Sequence, residues 1–331
     1  MRRTRFLGTG HAVPERVVTN DELSSIMDTT DEWIRIRTGI RERHWVREGE
    51  TGVDLALEAS KQALEMAGLE ARDLDAIIYA TSTPDHFIPG GGVFLQRRLG
   101  VPLIPALDVR TQCSGFVYSL SIADAWIRSG TYERVLVVGA EVQSTGMDVS
   151  TRGRNTAVIF ADGAGAAVLG PSEREDEGIL ALDLKAAGEH AELLWVDGPG
   201  SRYHPRVSVE HLQKGRYFLH MDGKEVFRHA VTRMPESVRT VLDRIGKTPA
   251  EIDLLIPHQA NQRISEAVQK ALGLRDDQVY NNIDRFGNTT AATIPLALDE
   301  CVRAGRLKPG QLLVVTAFGS GFAWGSAAIR W

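Results

Sequence analysis

The strongest constraint on this 331-residue chain is a worn internal duplication. The segment Asp124-Ala-Trp-Ile-Arg128-Ser-Gly130 recurs 175 residues later as Asp299-Glu-Cys-Val-Arg303-Ala-Gly305, and each copy runs into an apolar strand, Arg134 to Ala140 and Leu312 to Ala317. An earlier pair agrees: Gly68 precedes Leu74-Asp75-Ala-Ile-Ile as Gly246 precedes Ile252-Asp253-Leu-Leu-Ile. Fixed-period similarity normally signals stacked copies of one supersecondary unit, but a copy of about 170 residues has the size of a small domain. Two such copies related by an approximate twofold would face each other across a central interface. Carried back without a gap, the offset pairs Cys113 with Asn288, so different side chains at equivalent positions would converge on one site.

Short apolar runs alternate with amphipathic helical patterns. Thr51 caps an expected helix through Ala67, whose Val53, Ala56, Leu57, Ala63 and Leu64 follow the three-to-four spacing of a buried face, and Gly68 ends it. A buried strand from Asp75 to Thr81 follows. The same order returns as a helix near Glu225 to Ile245, a strand at Asp253 to Ile256, helices from about Gln259 to Leu272 and from about Asn288, and the strand at Leu312. Alternation of this kind implies mostly parallel sheets covered by helices on both faces, and the duplication makes it a layered α/β/α/β/α arrangement. Pro171 to Gly215, polar and rich in Gly, Glu and Pro, is expected to separate the halves.

Composition excludes several classes. With 43% hydrophobic and 24% charged residues the chain can bury a large core. A net charge of −5 argues against general nucleic-acid binding. No stretch approaches the ~20 apolar residues of a membrane helix, and Met1-Arg-Arg-Thr-Arg-Phe-Leu-Gly lacks the apolar core of a secretory signal. Two cysteines, Cys113 and Cys301, build no disulfide framework, and the nine histidines show no clustered metal-ligand spacing. A soluble, cytoplasmic protein without metal is expected.

Three local features carry chemistry. In Asp108-Val-Arg-Thr-Gln-Cys113-Ser-Gly115-Phe a cysteine follows an apolar strand and opens a helix, where free amide N–H groups and the helix dipole favour a thiolate and lower its pKa. Taken alone, such a cysteine is more often a small core residue. The others are Ile256-Pro-His258-Gln-Ala-Asn261-Gln-Arg263 at a strand end and Arg285-Phe-Gly-Asn288-Thr-Thr at a helix start. A lone His or Asn is usually structural, yet strand ends on one edge of an α/β sheet are where ligand sites form.

Together with Asp31-Glu-Trp33-Ile-Arg-Ile-Arg37-Thr-Gly-Ile-Arg-Glu-Arg43, Phe160-Ala-Asp-Gly-Ala-Gly-Ala166 and Phe318-Gly-Ser-Gly-Phe-Ala-Trp-Gly325, these segments resemble β-ketoacyl-acyl-carrier-protein synthase III, a thiolase-fold condensing enzyme. The resemblance spans nearly the whole chain. It implies a homodimer, a thiolase-like duplicated five-layer fold, and a Cys-His-Asn site in two halves, residues 1–171 with the nucleophile and 172–331 with the His and Asn. It implies no cofactor beyond the CoA thioester that serves as substrate.

By that resemblance, Cys113 takes the acyl group of an acyl-CoA, the backbone N–H groups of Cys113 and Ser320 form the oxyanion hole, and His258 and Asn288 assist decarboxylation of malonyl-acyl-carrier protein. Trp33 and Arg152 match the pair that sandwiches the adenine of CoA, Arg37 matches a phosphate contact, and Arg154-Asn155 is an insertion just after Arg152. Lys224 with Arg228, and Arg263 with Lys270, could each share a helix face toward an acidic carrier protein. Phe87 and Ile88 match the acyl-pocket wall. The aromatic residue usual before Pro89 is replaced by Ile88, followed by Gly90-Gly-Gly92, which suggests a longer or branched primer.

Rival readings fit less well. A dinucleotide-binding loop would want Gly-x-Gly-x-x-Gly opening a helix, which Gly8-Thr-Gly10-His-Ala-Val13 and Gly163-Ala-Gly165-Ala-Ala-Val168 both lack. A degradative thiolase would carry a second cysteine where Ser320 stands. A specialised relative that primes a polyketide, quinolone or olefin pathway, or acylates another acceptor, is the enzyme alternative. A non-catalytic partner subunit of the same fold would not need Cys113, His258 and Asn288.

Overall fold

The duplication appears in space as two sheets of matching strand order. In the computed structural model, which describes residues 2–101 and 103–331, the first sheet contains β1 (Arg3–Ala12), β2 (Ala76–Ala80), β3 (Ala106–Val109), β4 (Val135–Glu141) and β5 (Gly163–Ser172), ordered β1-β5-β4-β2-β3. The second contains β6 (Gly178–Ala186), β7 (Leu254–Pro257), β8 (Leu312–Gly319) and β9 (Ala323–Arg330), ordered β7-β8-β9-β6. Each centres on an antiparallel pair, β4 with β5 or β8 with β9; an antiparallel strand lies on one side and a parallel strand on the other. A parallel bridge from Leu255 to Val279 stands where β3 stands in the first sheet. Strands buried on both faces read as unbroken apolar runs, and β2 and β4 are buried at every residue.

Helices complete five layers. α1 (Gly52–Ala67) covers the outer face of the first sheet, starting at a capping box of Thr51 with Asp54 and ending at left-handed Gly68, as its spacing predicts. α2 (Gly115–Ser129) and α5 (Thr293–Arg303) form the middle layer, where Phe116, Leu120, Ile294 and Leu298 share one apolar cluster with strands of both sheets. α3 (Gly223–Arg244), with α4 (Gln262–Leu272) beside it, covers the far face of the second sheet through Met234, Val238, Ile264 and Val268. The strand β4 meets the start of α5 backbone to backbone: a Cβ on Gly139 would lie 2.4 Å from the Ala291 carbonyl oxygen, so only glycine permits this approach.

The starts of the middle helices correct the gapless pairing of Cys113 with Asn288. Short 3-10 turns, Gln112–Ser114 and Thr290–Ala292, lead into α2 and α5, and each opens on a non-glycine residue with positive φ, Gln112 at 45° and Thr290 at 51°. These starts are 178 residues apart, whereas Gly130 and Gly305 beyond the helix ends are 175 apart. The counterpart of Cys113 is therefore Ala291, and Asn288 lies upstream of it. α2 has 15 residues and α5 has 11, a difference of about one turn. Losing a whole turn leaves the apolar face in phase, which hides the gap from the sequence.

Pro171 to Gly215 is also more than a separator. It contains the whole of β6, an edge strand of the second sheet, and it sends Leu194 and Trp195 to the site described below. Among the described residues no helix is long and apolar enough to cross a membrane.

Candidate active site

Cys113 lies in the turn between β3 and α2 and is 7% exposed. The backbone N–H groups of Ser320 and of Cys113 itself lie where they favour the thiolate form of its sulfur. Ser320 follows β8, and its hydroxyl donates to the Leu194 carbonyl, which ties that loop to the strand Leu194–Trp195. The expected acidic thiol is corrected: Cys113 is pushed up to about 12, because burial and the charge of Glu141 outweigh the two N–H donors. Glu141 is the fully buried last residue of β4. Burial pushes its carboxyl up to about 7, against donation by Thr83 Oγ1 at 2.6 Å and Ser82 Oγ at 2.8 Å. The sequence reading did not single it out; its signal was a carboxylate ending an apolar strand.

His258 follows β7, which anchors its backbone N–H to the Thr316 carbonyl at 2.8 Å. The ring is 1% exposed, and burial depresses its pKa to about 3, so it is neutral at physiological pH. Its Nδ1 is 2.7 Å from Thr293 Oγ1, whereas Nε2 is buried and takes no partner among the described residues. Asn288, 4% exposed, bridges to the loop at Phe160 through its backbone. Its Oδ1 accepts from the Thr290 N–H at 2.8 Å, which fixes the amide and leaves the NH₂ end for a ligand. Cys113, His258 and Asn288 line one mostly apolar cavity of about 680 Å³ with Phe318, Phe227 and Met234. A nucleophile and two neutral hydrogen-bonding side chains thus line a mostly apolar space, with the Ser320 N–H beside the sulfur, and preorganised donors act strongly in such surroundings. Cys301, by contrast, is buried in α5.

Comparison with known proteins decides the family. The family described as 3-oxoacyl-[acyl-carrier-protein] synthase III matches residues 107–188, and its C-terminal part matches residues 242–331. A β-ketoacyl-[acyl-carrier-protein] synthase III from Rhizorhabdus wittichii is 47% identical over 331 residues, covering 100% of both chains. The chain belongs to the β-ketoacyl-acyl-carrier-protein synthase III family. The crystal structure of the Aquifex aeolicus 3-oxoacyl-[acyl-carrier-protein] synthase III superposes with TM-score 0.91 at 41% identity, covering 99% of this chain and 100% of that one. The priming β-ketosynthase from the R1128 polyketide biosynthetic pathway is similar at TM-score 0.90 and 33% identity, over 99% and 96% of the two chains. The fold is accordingly thiolase-like, and the family is one of condensing acyltransferases.

The synthase III family match leaves the binding residues to geometry. A second cavity of about 1060 Å³, partly open to solvent, reaches Cys113 from the other side between Met147, Phe160, Leu194, Trp195, Tyr217 and Ser320. Phe87 and Ile88 line neither cavity of this chain; they are 61% and 81% exposed on the loop before the helix Gly91–Leu99. Trp33, on the helix Asp31–Thr38, lines the outer mouth with Arg37, Lys224, Asn261 and Arg263.

The arginines over the Trp33 ring are Arg37 and Arg154. Arg152 stands over the Phe218 ring at 5.5 Å and is held by Asp148 at 2.5 Å, lining the adjoining depression instead. Arg37 stands over the Trp33 ring at 4.3 Å and Arg154 at 5.3 Å. Arg154 opens a short helix, Arg154–Ala157. Arg263 lies over Phe227 at 5.6 Å, Arg228 is paired with Glu225 (Nε to Oε2, 3.0 Å), and Lys270 is exposed in the last turn of α4.

Proposed function

We propose that this chain starts fatty acid synthesis by decarboxylative Claisen condensation of an acyl-CoA primer with malonyl-acyl-carrier protein. The observation that carries this reading is the single apolar cavity shared by Cys113, His258 and Asn288, with the Ser320 and Cys113 N–H groups at the sulfur. Cys113 sulfur bonds to the thioester carbon, the CoA sulfur leaves carrying the thiol proton, and the two N–H groups hold the transient oxyanion. Malonyl-acyl-carrier protein then loses CO₂, and the electron pair passes to the thioester oxygen, where neutral His258 and Asn288 donate. The resulting carbanion attacks the acyl carbon and expels Cys113, which is reprotonated.

In this reading the halves 1–171 and 172–331 contribute Cys113 and the His258–Asn288 pair respectively. Trp33, Arg37 and Arg154 receive the nucleotide end of CoA at the mouth, with Arg152 adjacent, and no cofactor or metal takes part. Lys224, Arg228, Arg263 and Lys270 receive the acidic carrier protein. The chain works as a cytoplasmic homodimer through the exposed edge of β3, where Leu107, Phe87, Ile88 and Val93 are 38%, 61%, 81% and 39% exposed. Higher identity to the fatty acid synthase III relatives than to the polyketide-priming enzyme favours this pathway.

Intact-protein mass spectrometry after incubation with a panel of acyl-CoAs tests the reading. Wild type should gain one acyl mass, and Cys113→Ser should gain no thioester-linked one. Label mapped to Cys301, or equal label on both proteins, would refute it.

A further inference from the structure

The geometry behind His258 assigns a role to a residue that no motif marks. Thr293, the first residue of α5, is 2% exposed, and its Oγ1 is 2.7 Å from His258 Nδ1 and 3.1 Å from the Thr290 carbonyl oxygen. A threonine hydroxyl has one proton to give and can also accept, so the contact admits two states. In one, Nδ1–H donates to Oγ1, the hydroxyl donates to the Thr290 carbonyl, and Nε2 is a bare acceptor. In the other, the hydroxyl donates to Nδ1, and the ring proton sits on Nε2.

Two observations separate these states. The Thr290 carbonyl already accepts the backbone N–H of Thr293, so it has a donor without the hydroxyl. His258 Nδ1 has a single partner among the described residues, this hydroxyl, and a buried acceptor left without a donor is costly. His258 lines the cavity shared with Cys113 and Asn288, its Nε2 has no partner among the described residues, and a thioester oxygen bound there can only accept. We infer that Thr293 is the positioning residue that holds His258 as its Nε2–H tautomer, making the ring a hydrogen-bond donor toward the oxygen that gains charge during decarboxylation. Thr293 directly follows the 3-10 turn Thr290–Ala292, whose Thr290 N–H donates to Asn288 Oδ1. One turn therefore aligns both donors, which explains why their relative position survives on an irregular stretch of chain.

This inference rests on the proposed roles of His258 and Asn288, and the test separates the two. Thr293→Val keeps the shape and removes the hydroxyl; Thr293→Ser restores it. Three quantities are read on the full-length protein: CO₂ release from malonyl-acyl-carrier protein, acylation of Cys113 by acyl-CoA, and the ¹⁵N shifts of the His258 ring, assigned by their absence from His258→Ala. Thr293→Val should lose roughly 10- to 100-fold in decarboxylation, with acylation within a few-fold of wild type and an Nδ1-protonated or mixed ring signature. Thr293→Ser should restore both the rate and the Nε2–H signature. An Nδ1–H ring in the wild type overturns the inference even if Thr293→Val does not fold, as does a Thr293→Val protein with unchanged ring signature and decarboxylation. Undiminished decarboxylation in His258→Ala would instead overturn the role of His258 itself.

Discussion

Gly319 stands so close to Cys113 that a Cβ added to it would lie 2.6 Å from the cysteine Cβ and 2.9 Å from its sulfur. The last residue of β8 is therefore glycine for reasons of space, and it sets the sulfur beside the Ser320 N–H. Gly319→Ala should push the sulfur off that donor and slow acylation by roughly 100-fold, the cost of losing an oxyanion contact. Burst-phase measurement of acyl-enzyme formation checks this; a wild-type burst would show that the loop yields without consequence.

Glu141 raises the Cys113 pKa through its charge, second only to burial. In Glu141→Gln the thiol should be more acidic and react faster with iodoacetamide at pH 8. The same substitution has a stability signature. A carboxyl raised from 4.5 to about 7 stabilises the fold below its unfolded value, and that contribution is lost as pH rises through about 7. The loss is worth about 3 kcal/mol. His258, depressed to about 3, contributes the opposite slope, with stability lost as pH falls below its unfolded value toward about 3, but it does so in both proteins. The stability difference between wild type and Glu141→Gln, followed from pH 5 to 8 by calorimetry, should therefore move in favour of the variant. A pH-independent difference would be the contrary result.

Arg154, not Arg152, lies over Trp33. In the proposed site Arg154 also meets the adenine of CoA, so losing one such contact of about 1 kcal/mol in Arg154→Ala should raise the KM for acyl-CoA by about fivefold, with kcat little altered. Arg152→Ala should have a smaller effect. Steady-state kinetics on both variants decides between them, and a larger KM effect at Arg152 would contradict the assignment.

Ile88, exposed in the single chain, is expected to wall the partner's acyl cavity in the proposed dimer. With a smaller wall, each added methylene of the primer gains about 0.8 kcal/mol on burial. Hexanoyl-CoA should then be preferred over acetyl-CoA in kcat/KM, and Ile88→Phe should shift preference toward acetyl. An acetyl preference unchanged by Ile88→Phe would mean that this position does not set chain length.

Much of the site was legible in the chain because it sits at strand ends and helix starts. Cys113 and His258 each come just after an apolar strand and Asn288 just before a helix start, and such junctions are marked by composition alone. The fold was legible for a related reason: strands buried on both faces and helices with a continuous apolar stripe write their period into the sequence. Where the reading failed, the cause was geometric. The one-turn difference between α2 and α5 keeps the apolar face in phase, so the offset of 175 at the helix ends concealed 178 at their starts.

Residue type and periodicity in the sequence determined the layer order, and the resemblance of its motifs to a known family pointed to Cys113, His258 and Asn288, which share one cavity. Only the tertiary structure decided the electrostatics and the contacts between distant segments. The helix start predicts an acidic thiol, yet Glu141, close to Cys113 only through the packing of β4 against the middle layer, helps raise it. The placement of Arg154 over Trp33, and the pairing of His258 with Thr293 35 positions away, depend likewise on how distant segments are brought together. Desolvation and through-space charge depend on distances that no local pattern encodes.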